Sequence, residues 1–283
     1  MAPWSEAPAL AELSATLILL YAGIFGAVLG SFLNVVIHRL PRQLEAENAA
    51  WLREQTGQPA LEGKPYNLAW PASHCPHCER PLAWFHNLPL LSWLALRGRS
   101  ACCQKPIAKR YPLIEGLMAL LTVALVQRFG LGPEAGALIV LTGFLLALGA
   151  IDAEWQLLPD PLTLPLLWLG LLGAVAGLTP APTVESAILG AALGYLSLWS
   201  LYWGHRLLTK REGMGYGDFK LLAAGGAWLG WTALPQLALL AAASGLAFAL
   251  TAKLRGRLAP QEPMPFGPFL AAAIWLTAFF GVR

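Results

Sequence analysis

Charged residues are scarce in this chain, and their scarcity excludes a soluble globular protein. Of its 283 residues, 57% are hydrophobic and only 12% are charged, whereas soluble domains carry about 25% charged residues. Several apolar runs exceed the ~18 residues that indicate a membrane helix. The composition therefore predicts an all-α protein that crosses a membrane several times. In a membrane protein the net charge of +3 says little about nucleic acid, and we expect membrane lipid and no nucleic acid as a partner.

The start of the chain lacks the basic residues of a secretory signal. No Lys or Arg precedes the first apolar run, from about Leu10 to Ile37, and Arg39 and Arg42 follow it. A signal peptide has the opposite pattern, a basic start and a small-residue cleavage site. We therefore expect residues 1–38 to be a retained transmembrane helix with its N-terminus outside the cytoplasm.

Seven further apolar runs bring the expected number of transmembrane helices to about eight. With the N-terminus outside, only Arg128 and Arg283 of the 19 Lys and Arg fall outside the inner loops, and membrane proteins collect these residues on the cytoplasmic side. Asp152, Asp160 and Asp218, the three aspartates of the chain, then all lie at the cytoplasmic face. The seven runs are 111–128, 134–151, 161–178, 184–207, 217–232, 233–254 and 266–282, and the segment 111–283 is predicted to be a helical bundle.

All four cysteines lie in the polar segment 39–110, between the first two predicted helices. Cys75 and Cys78 form a Cys-x-x-Cys motif, and Cys102 and Cys103 follow it. Two thiolate pairs at such spacing are typical of structural zinc, and a cytoplasmic location disfavours disulfides. Zinc would also stabilise a segment too small to fold on its own core. We therefore predict a small cytoplasmic domain in which these four cysteines bind Zn²⁺.

The adjacency of the last two cysteines leaves alternatives open. A regular second motif would have two residues between its cysteines, so His74, His77 or His86 could replace one sulfur. The segment could also be metal-free, with free thiols.

Asp152 and Asp218 each lie where an apolar run meets the cytoplasmic face. Ionisable groups at membrane spans indicate function, and two carboxylates a few ångströms apart share one proton. The ionised carboxylate can activate water, and the protonated one can polarise a peptide carbonyl and protonate the leaving nitrogen. The pair therefore predicts an aspartic peptidase with Asp152 and Asp218 as its catalytic residues.

Three residues around Asp218, namely Gly215, Gly217 and Lys220, are predicted to shape the site or bind substrate. Glycines without Cβ let an extended substrate backbone approach, although they could equally form a flexible link. A structural ion pair is the alternative for the carboxylates, but a spacing of two does not turn Lys220 toward Asp218 on a helix. Asp160 is predicted to cap the next helix.

The remaining polar residues within apolar runs are predicted to have packing roles. Ser31, Asn34 and His38 share one helical face, for which interfacial packing is the simpler interpretation. Glu115, early in the second run, is predicted to extend toward the membrane surface.

An ordered set of motifs makes the chain resemble the bacterial type IV prepilin peptidases, also called prepilin leader peptidase/N-methyltransferases. The resemblance covers almost the full length. Its motifs are GSFLNVVIHRLP at 30–41, the first cysteine pair, KRYPLIE at 109–115, ID at 151–152 with LLPD at 157–160, GMGYGDFK at 213–220, and PFGP at 265–268.

The resemblance implies an inner-membrane aspartic endopeptidase. Such enzymes remove the basic leader of type IV prepilins and of type II secretion pseudopilins. Many then methylate the new N-terminal residue with S-adenosylmethionine, for which this sequence offers no strand-linked Gly-x-Gly-x-x-Gly loop.

The resemblance also implies site residues. The family's two catalytic aspartates match Asp152 and Asp218. Its zinc cysteines match Cys75, Cys78 and Cys103, while its fourth cysteine position is Ser100 here. We expect the neighbouring Cys102 to compensate.

Two other classes of function are alternatives. A proton- or ion-coupled transporter also uses intramembrane carboxylates, but transporters often contain internal repeats and sites near the midplane, which this sequence does not suggest. A zinc-organised membrane scaffold without chemistry is the other. Cleavage of a prepilin by purified protein separates the peptidase from both.

Overall fold

The computed structural model describes residues 7–59, 66–75, 77–210, 214–256 and 264–281. Within these residues the chain forms nine α-helices and two short 3-10 helices, without a β-strand. The prediction of an all-α fold is therefore confirmed. The chain divides into two compact units, Met1–Leu131 and Gly132–Arg283.

The first unit contains two long helices that pack against each other. Helix α1 is Ala7–Gln55, α2 is Leu91–Ala95 and α3 is Arg110–Phe129. Helix α1 passes without a break through the boundary expected after residue 38. Its 49 residues extend about 73 Å, more than twice the ~30 Å hydrocarbon core, so part of α1 projects from the membrane.

Small residues allow α1 and α3 to approach closely. A Cβ at Gly30 would lie 2.6 Å from the Cα of Glu115, and one at Gly26 would lie 2.7 Å from Thr122 Oγ1. The close approach also brings polar groups into contact, since Asn34 Nδ2 donates to the Tyr111 carbonyl at 3.0 Å. For Asn34 the prediction of interfacial packing is confirmed.

The prediction that Glu115 extends toward the membrane surface is wrong. Glu115 is only 8% exposed, and its Oε2 atom accepts a hydrogen bond from the backbone N–H of Leu90 at 2.8 Å. Ser31 hydrogen-bonds to the same carboxylate. A buried acceptor bound in this way joins α1, α3 and the turn before α2.

The second unit is a bundle of six helices. They are α4 Pro133–Trp155, α5 Asp160–Val175, α6 Val184–Thr209, α7 Tyr216–Leu229, α8 Leu234–Leu254 and α9 Gly267–Phe280. Helix α7 packs against α5, α6 and α9, and every residue from Asp218 to Leu229 except Lys220 is buried. The second catalytic candidate, Asp218, therefore lies in the first turn of the central helix of this bundle.

Helices occur at every apolar run predicted from the sequence. Five of them, α1, α3, α4, α6 and α8, are long and apolar enough to cross a membrane. Helices α5 and α9 are shorter but apolar, and the 14 residues of α7 extend about 21 Å. The chain is a multi-pass membrane protein, and its division at residues 38 and 110 stays a prediction.

Candidate active site

Asp152 lies in the last turn of α4 and is 6% exposed. The helix ends three residues later because Gln156 adopts a left-handed conformation, with φ of 51°. The Asp152 Oδ2 atom accepts the backbone N–H of Gly267 at 2.8 Å. A residue 115 positions along the chain therefore orients this carboxylate.

Asp218 lies in the first turn of α7, where the helix end favours a negative charge, and is 7% exposed. It is close enough to Asp152 for the two carboxylates to interact electrostatically. Within the described residues, neither aspartate has a cationic partner. The structural ion pair considered as an alternative is therefore not found there, and two buried carboxylates interact electrostatically without a paired cation among the described residues.

The residues predicted around Asp218 have separate roles. A Cβ at Gly217 would lie 2.5 Å from the Cβ of Leu158, whereas the nearest atom to a Cβ at Gly215 is Asp218 Oδ2, at 3.8 Å. The space beside Gly217 is thus occupied by the chain itself. Of the two glycines, Gly215 is the one that leaves room beside the Asp218 carboxylate.

Lys220 does not face Asp218. Its Nζ atom binds Asp160 Oδ1 at 2.5 Å, which joins α5 and α7. The prediction that Asp160 caps α5 is wrong, because the helix begins at Asp160 itself, Pro159 occupies the cap position, and no side chain caps the end.

Sequence reasoning missed the role of Gly267. A Cβ at this position would lie 2.7 Å from Asp152 Oδ2, so the carboxylate occupies the space that a side chain would need. The only sequence signal was the PFGP motif at the start of the last apolar run, and that motif does not identify Asp152 as the partner of Gly267.

The four thiols predicted to bind a metal come together. Their sulfur atoms all lie within 4.8 Å of one another. Cys75 Sγ is 3.7 Å from Cys103 Sγ, and Cys78 Sγ is 3.1 Å from Cys102 Sγ. Among the described residues, no histidine joins this cluster, and His74 instead contacts the Ala72 carbonyl.

Two similar turns build the cluster. In the first, the N–H of Cys75 donates to the Arg80 carbonyl at 2.9 Å, and in the second the N–H of Ser100 donates to the Lys105 carbonyl at 2.8 Å. Four residues after each donor the backbone is left-handed with φ of 57°.

Ser100 therefore has the same position in the second turn as Cys75 has in the first, and Cys103 has the same position as Cys78. The Ser100 Oγ atom lies 3.3 Å from Cys75 Sγ and 2.9 Å from Cys102 Sγ. Cys102 thus brings a thiol to the cluster from a position inside the second turn.

The cluster also favours one thiolate. Burial opposes ionisation of the Cys75 thiol, but hydrogen bonds from Ser100 and from the backbone N–H groups of His77 and Cys78 lower its pKa to about 5. The Arg80 backbone lowers the pKa of the Cys78 thiol, but burial and hydrogen bonds to Cys102, Cys75 and Cys103 raise it to about 12. Metals bind the deprotonated sulfur, so a metal ion at this cluster would displace the protons of the other thiols.

Comparison with known proteins gives consistent matches in both units. Residues 24–129 match the bacterial peptidase A24 N-terminal domain, and residues 139–250 match the type IV leader peptidase family. A prepilin leader peptidase/N-methyltransferase of Aeromonas hydrophila is 50% identical over 91% of this chain and 89% of its own. The chain belongs to the type IV leader peptidase family. Proteins of the same name from Burkholderia pseudomallei and Pseudomonas aeruginosa are 49% and 47% identical, over 96% and 91% of this chain and 89% of each relative.

No solved structure was found to match the chain. Within this type IV leader peptidase, the thiol cluster lies in the first matched segment and both aspartates lie in the second. Gly267 lies beyond both segments.

Proposed function

We propose that this protein is a membrane aspartic endopeptidase that removes the leader peptide of type IV prepilins and type II secretion pseudopilins, and that it methylates the new N-terminal residue with S-adenosylmethionine. Its relatives carry the name of both activities. The observation that carries the peptidase assignment is the pair Asp152 and Asp218, two buried carboxylates that interact electrostatically.

The pair can hydrolyse a peptide bond without a covalent intermediate. Two adjacent carboxylates hold one proton between them. The ionised carboxylate takes a proton from water as the water oxygen attacks the carbonyl carbon, and the other carboxylate gives its proton to the leaving nitrogen. The C–N bond breaks, and the pair again holds one proton.

We place this reaction at the cytoplasmic face of the bacterial inner membrane. The Lys and Arg distribution supports a periplasmic N-terminus and a cytoplasmic location of the three aspartates. A prepilin would then present its apolar helix to the lipid-embedded bundle and its basic leader to the cytoplasm, with the scissile bond level with Asp152 and Asp218.

We propose that Zn²⁺ occupies the cluster of Cys75, Cys78, Cys102 and Cys103. Four thiolates are a typical structural zinc set, and a tetrahedral site with Zn–S near 2.3 Å has sulfur atoms about 3.8 Å apart. The 3.7 Å between Cys75 and Cys103 agrees with this value. Zinc there would stabilise the fold of the cysteine segment.

The methyl donor has no assigned residues. Among the described residues there is no strand and hence no strand-linked glycine loop of the dinucleotide-binding type. Methyl transfer to the new amine is therefore proposed for the protein as a whole, without a site.

The test is cleavage of a prepilin by the purified full-length protein in detergent. We expect Asp152→Asn and Asp218→Asn each to lower the cleavage rate by at least about a hundredfold, because each removes a proton-transfer group. Asp160→Asn is the matched control, since Asp160 is paired with Lys220, and it should cleave at the wild-type rate. Wild-type cleavage by either Asp152→Asn or Asp218→Asn, in protein of unchanged helicity, would refute the assignment.

A further inference from the structure

The two aspartates have different surroundings. The Asp152 carboxylate receives a direct hydrogen bond from another helix, the N–H of Gly267 at 2.8 Å. Gly267 is the first residue of α9, so the positive end of that helix also points to Asp152. Asp218 lies in the first turn of its own helix, and its carboxylate also accepts a backbone hydrogen bond, from Gly215. Helix ends therefore act on both aspartates.

The two carboxylates differ in their neighbours, and these neighbours determine which carboxylate is charged. Asp218 leads into α7, whose residues from Phe219 to Leu229 are buried except for Lys220, and apolar surroundings favour a neutral carboxyl. Both carboxylates accept a backbone hydrogen bond, so the apolar surroundings of Asp218 decide which one is neutral. The 2.8 Å bond from Gly267 then favours the charge on Asp152.

The helices around the pair carry few other charged groups. On α6, Glu185 lies in the first turn, and Arg206, next to His205, lies in the last turn and donates to Tyr202 Oη at 3.0 Å; on α8, Lys253 lies in the last turn. Helix α9 contains no charged residue, and the charged residue of α5, Asp160, is already paired with Lys220 of α7. On α4, the charged residue nearest Asp152 in sequence is Glu154, which is exposed.

Resting on the proposed peptidase function, we propose that Gly267 is a positioning residue whose N–H holds Asp152 as the ionised member of the pair. Asp152 then takes the proton from water, and Asp218 carries the proton that passes to the leaving nitrogen. The missing Cβ is part of the arrangement, because a side chain at 267 would lie 2.7 Å from Asp152 Oδ2.

The test compares wild type with Gly267→Ala in purified full-length enzyme, with kcat and KM for a prepilin measured across pH. Gly267→Ala keeps the N–H but displaces the carboxylate from it. We expect kcat to fall about tenfold to a hundredfold, the value of one charge-assisted hydrogen bond, with KM within about twofold. The acid limb of the pH profile should move to higher pH by about one unit, because Asp152 loses the bond that favours its charge.

Gly245→Ala is the control. Its Cβ would lie an ordinary 3.5 Å from the Phe269 ring on α9 and does not contact Asp152, so its profile should match wild type. If Gly267→Ala does not fold, replacement of Gly267 by glycolic acid exchanges the N–H for an ester oxygen and adds no Cβ. That variant should show the same shift of the acid limb.

If the pH profile of Gly267→Ala matches that of wild type, the positioning role of Gly267 is overturned. Movement of the basic limb alone would show that Asp152 is the proton donor, and would overturn the assignment of roles. Both results are distinct from failure of the peptidase assignment, in which Asp152→Asn and Asp218→Asn would still cleave.

Discussion

Replacement of Cys102 tests how this chain would complete the proposed zinc site, whose regular fourth position is a serine. The variants are Cys102→Ala, which removes one thiol, and Ser100→Cys combined with Cys102→Ala, which restores the regular spacing. Ser100 Oγ already lies 3.3 Å from Cys75 Sγ, close to the ~3.8 Å that separates ligands around zinc. A thiol at position 100 would therefore lie in ligand position.

The expected loss follows from the number of ligands. Four-ligand zinc sites in small domains bind with about 10–16 kcal/mol, so one ligand contributes about 3 kcal/mol, or about a hundredfold in affinity. The 3.1 Å between Cys78 and Cys102 must open by about 0.7 Å to reach tetrahedral geometry. This adjustment makes Cys102 the weakest of the four ligands, so a hundredfold is an upper value.

The assay is zinc content by mass spectrometry and zinc affinity by chelator competition, in protein purified without chelator. Cys102→Ala should bind zinc up to about a hundredfold more weakly, and the double variant should recover wild-type affinity. His74→Ala is the control, because His74 contacts the Ala72 carbonyl instead of the cluster. Equal zinc affinity of Cys102→Ala and wild type would show that Cys102 is not a ligand. Absence of zinc from the wild-type protein would refute the proposed zinc site.

Two further predictions concern packing, with thermal unfolding in detergent as the measurement. Gly217→Ala should lower the free energy of unfolding by about 1–3 kcal/mol through overpacking, because its Cβ would lie 2.5 Å from Leu158. Gly215→Ala is the control, since its Cβ would lie 3.8 Å from the nearest atom and cause no such clash. Equal losses in the two variants would contradict the packing account. Glu115→Leu should cost about 1–3 kcal/mol because the N–H of Leu90 loses its acceptor, and Glu115→Gln, which keeps an acceptor oxygen, should lose less. A Gln variant as unstable as Leu would show that the charge, and not the hydrogen bond, matters.

The positions of the helices could be predicted from the sequence because a membrane forces each apolar run to satisfy its own backbone hydrogen bonds. The run predicted at 184–207 is the helix Val184–Thr209, and that at 134–151 is part of Pro133–Trp155. The cysteine cluster was also predictable, since ligand spacing along the chain reflects the turns that hold a metal. The two aspartates were identified because acids are rare at membrane spans.

Contacts between distant segments were decided only by the tertiary structure. Nothing in the local sequence of Gly267 points to Asp152, because a backbone N–H has no sequence signature and its partner is 115 residues away. The same reason explains Glu115, which was expected at the membrane surface and instead binds the N–H of Leu90. Periodicity and composition determine which segments are helical, but not where α1 ends, since it continues to Gln55. Which polar atoms meet depends on how those helices pack.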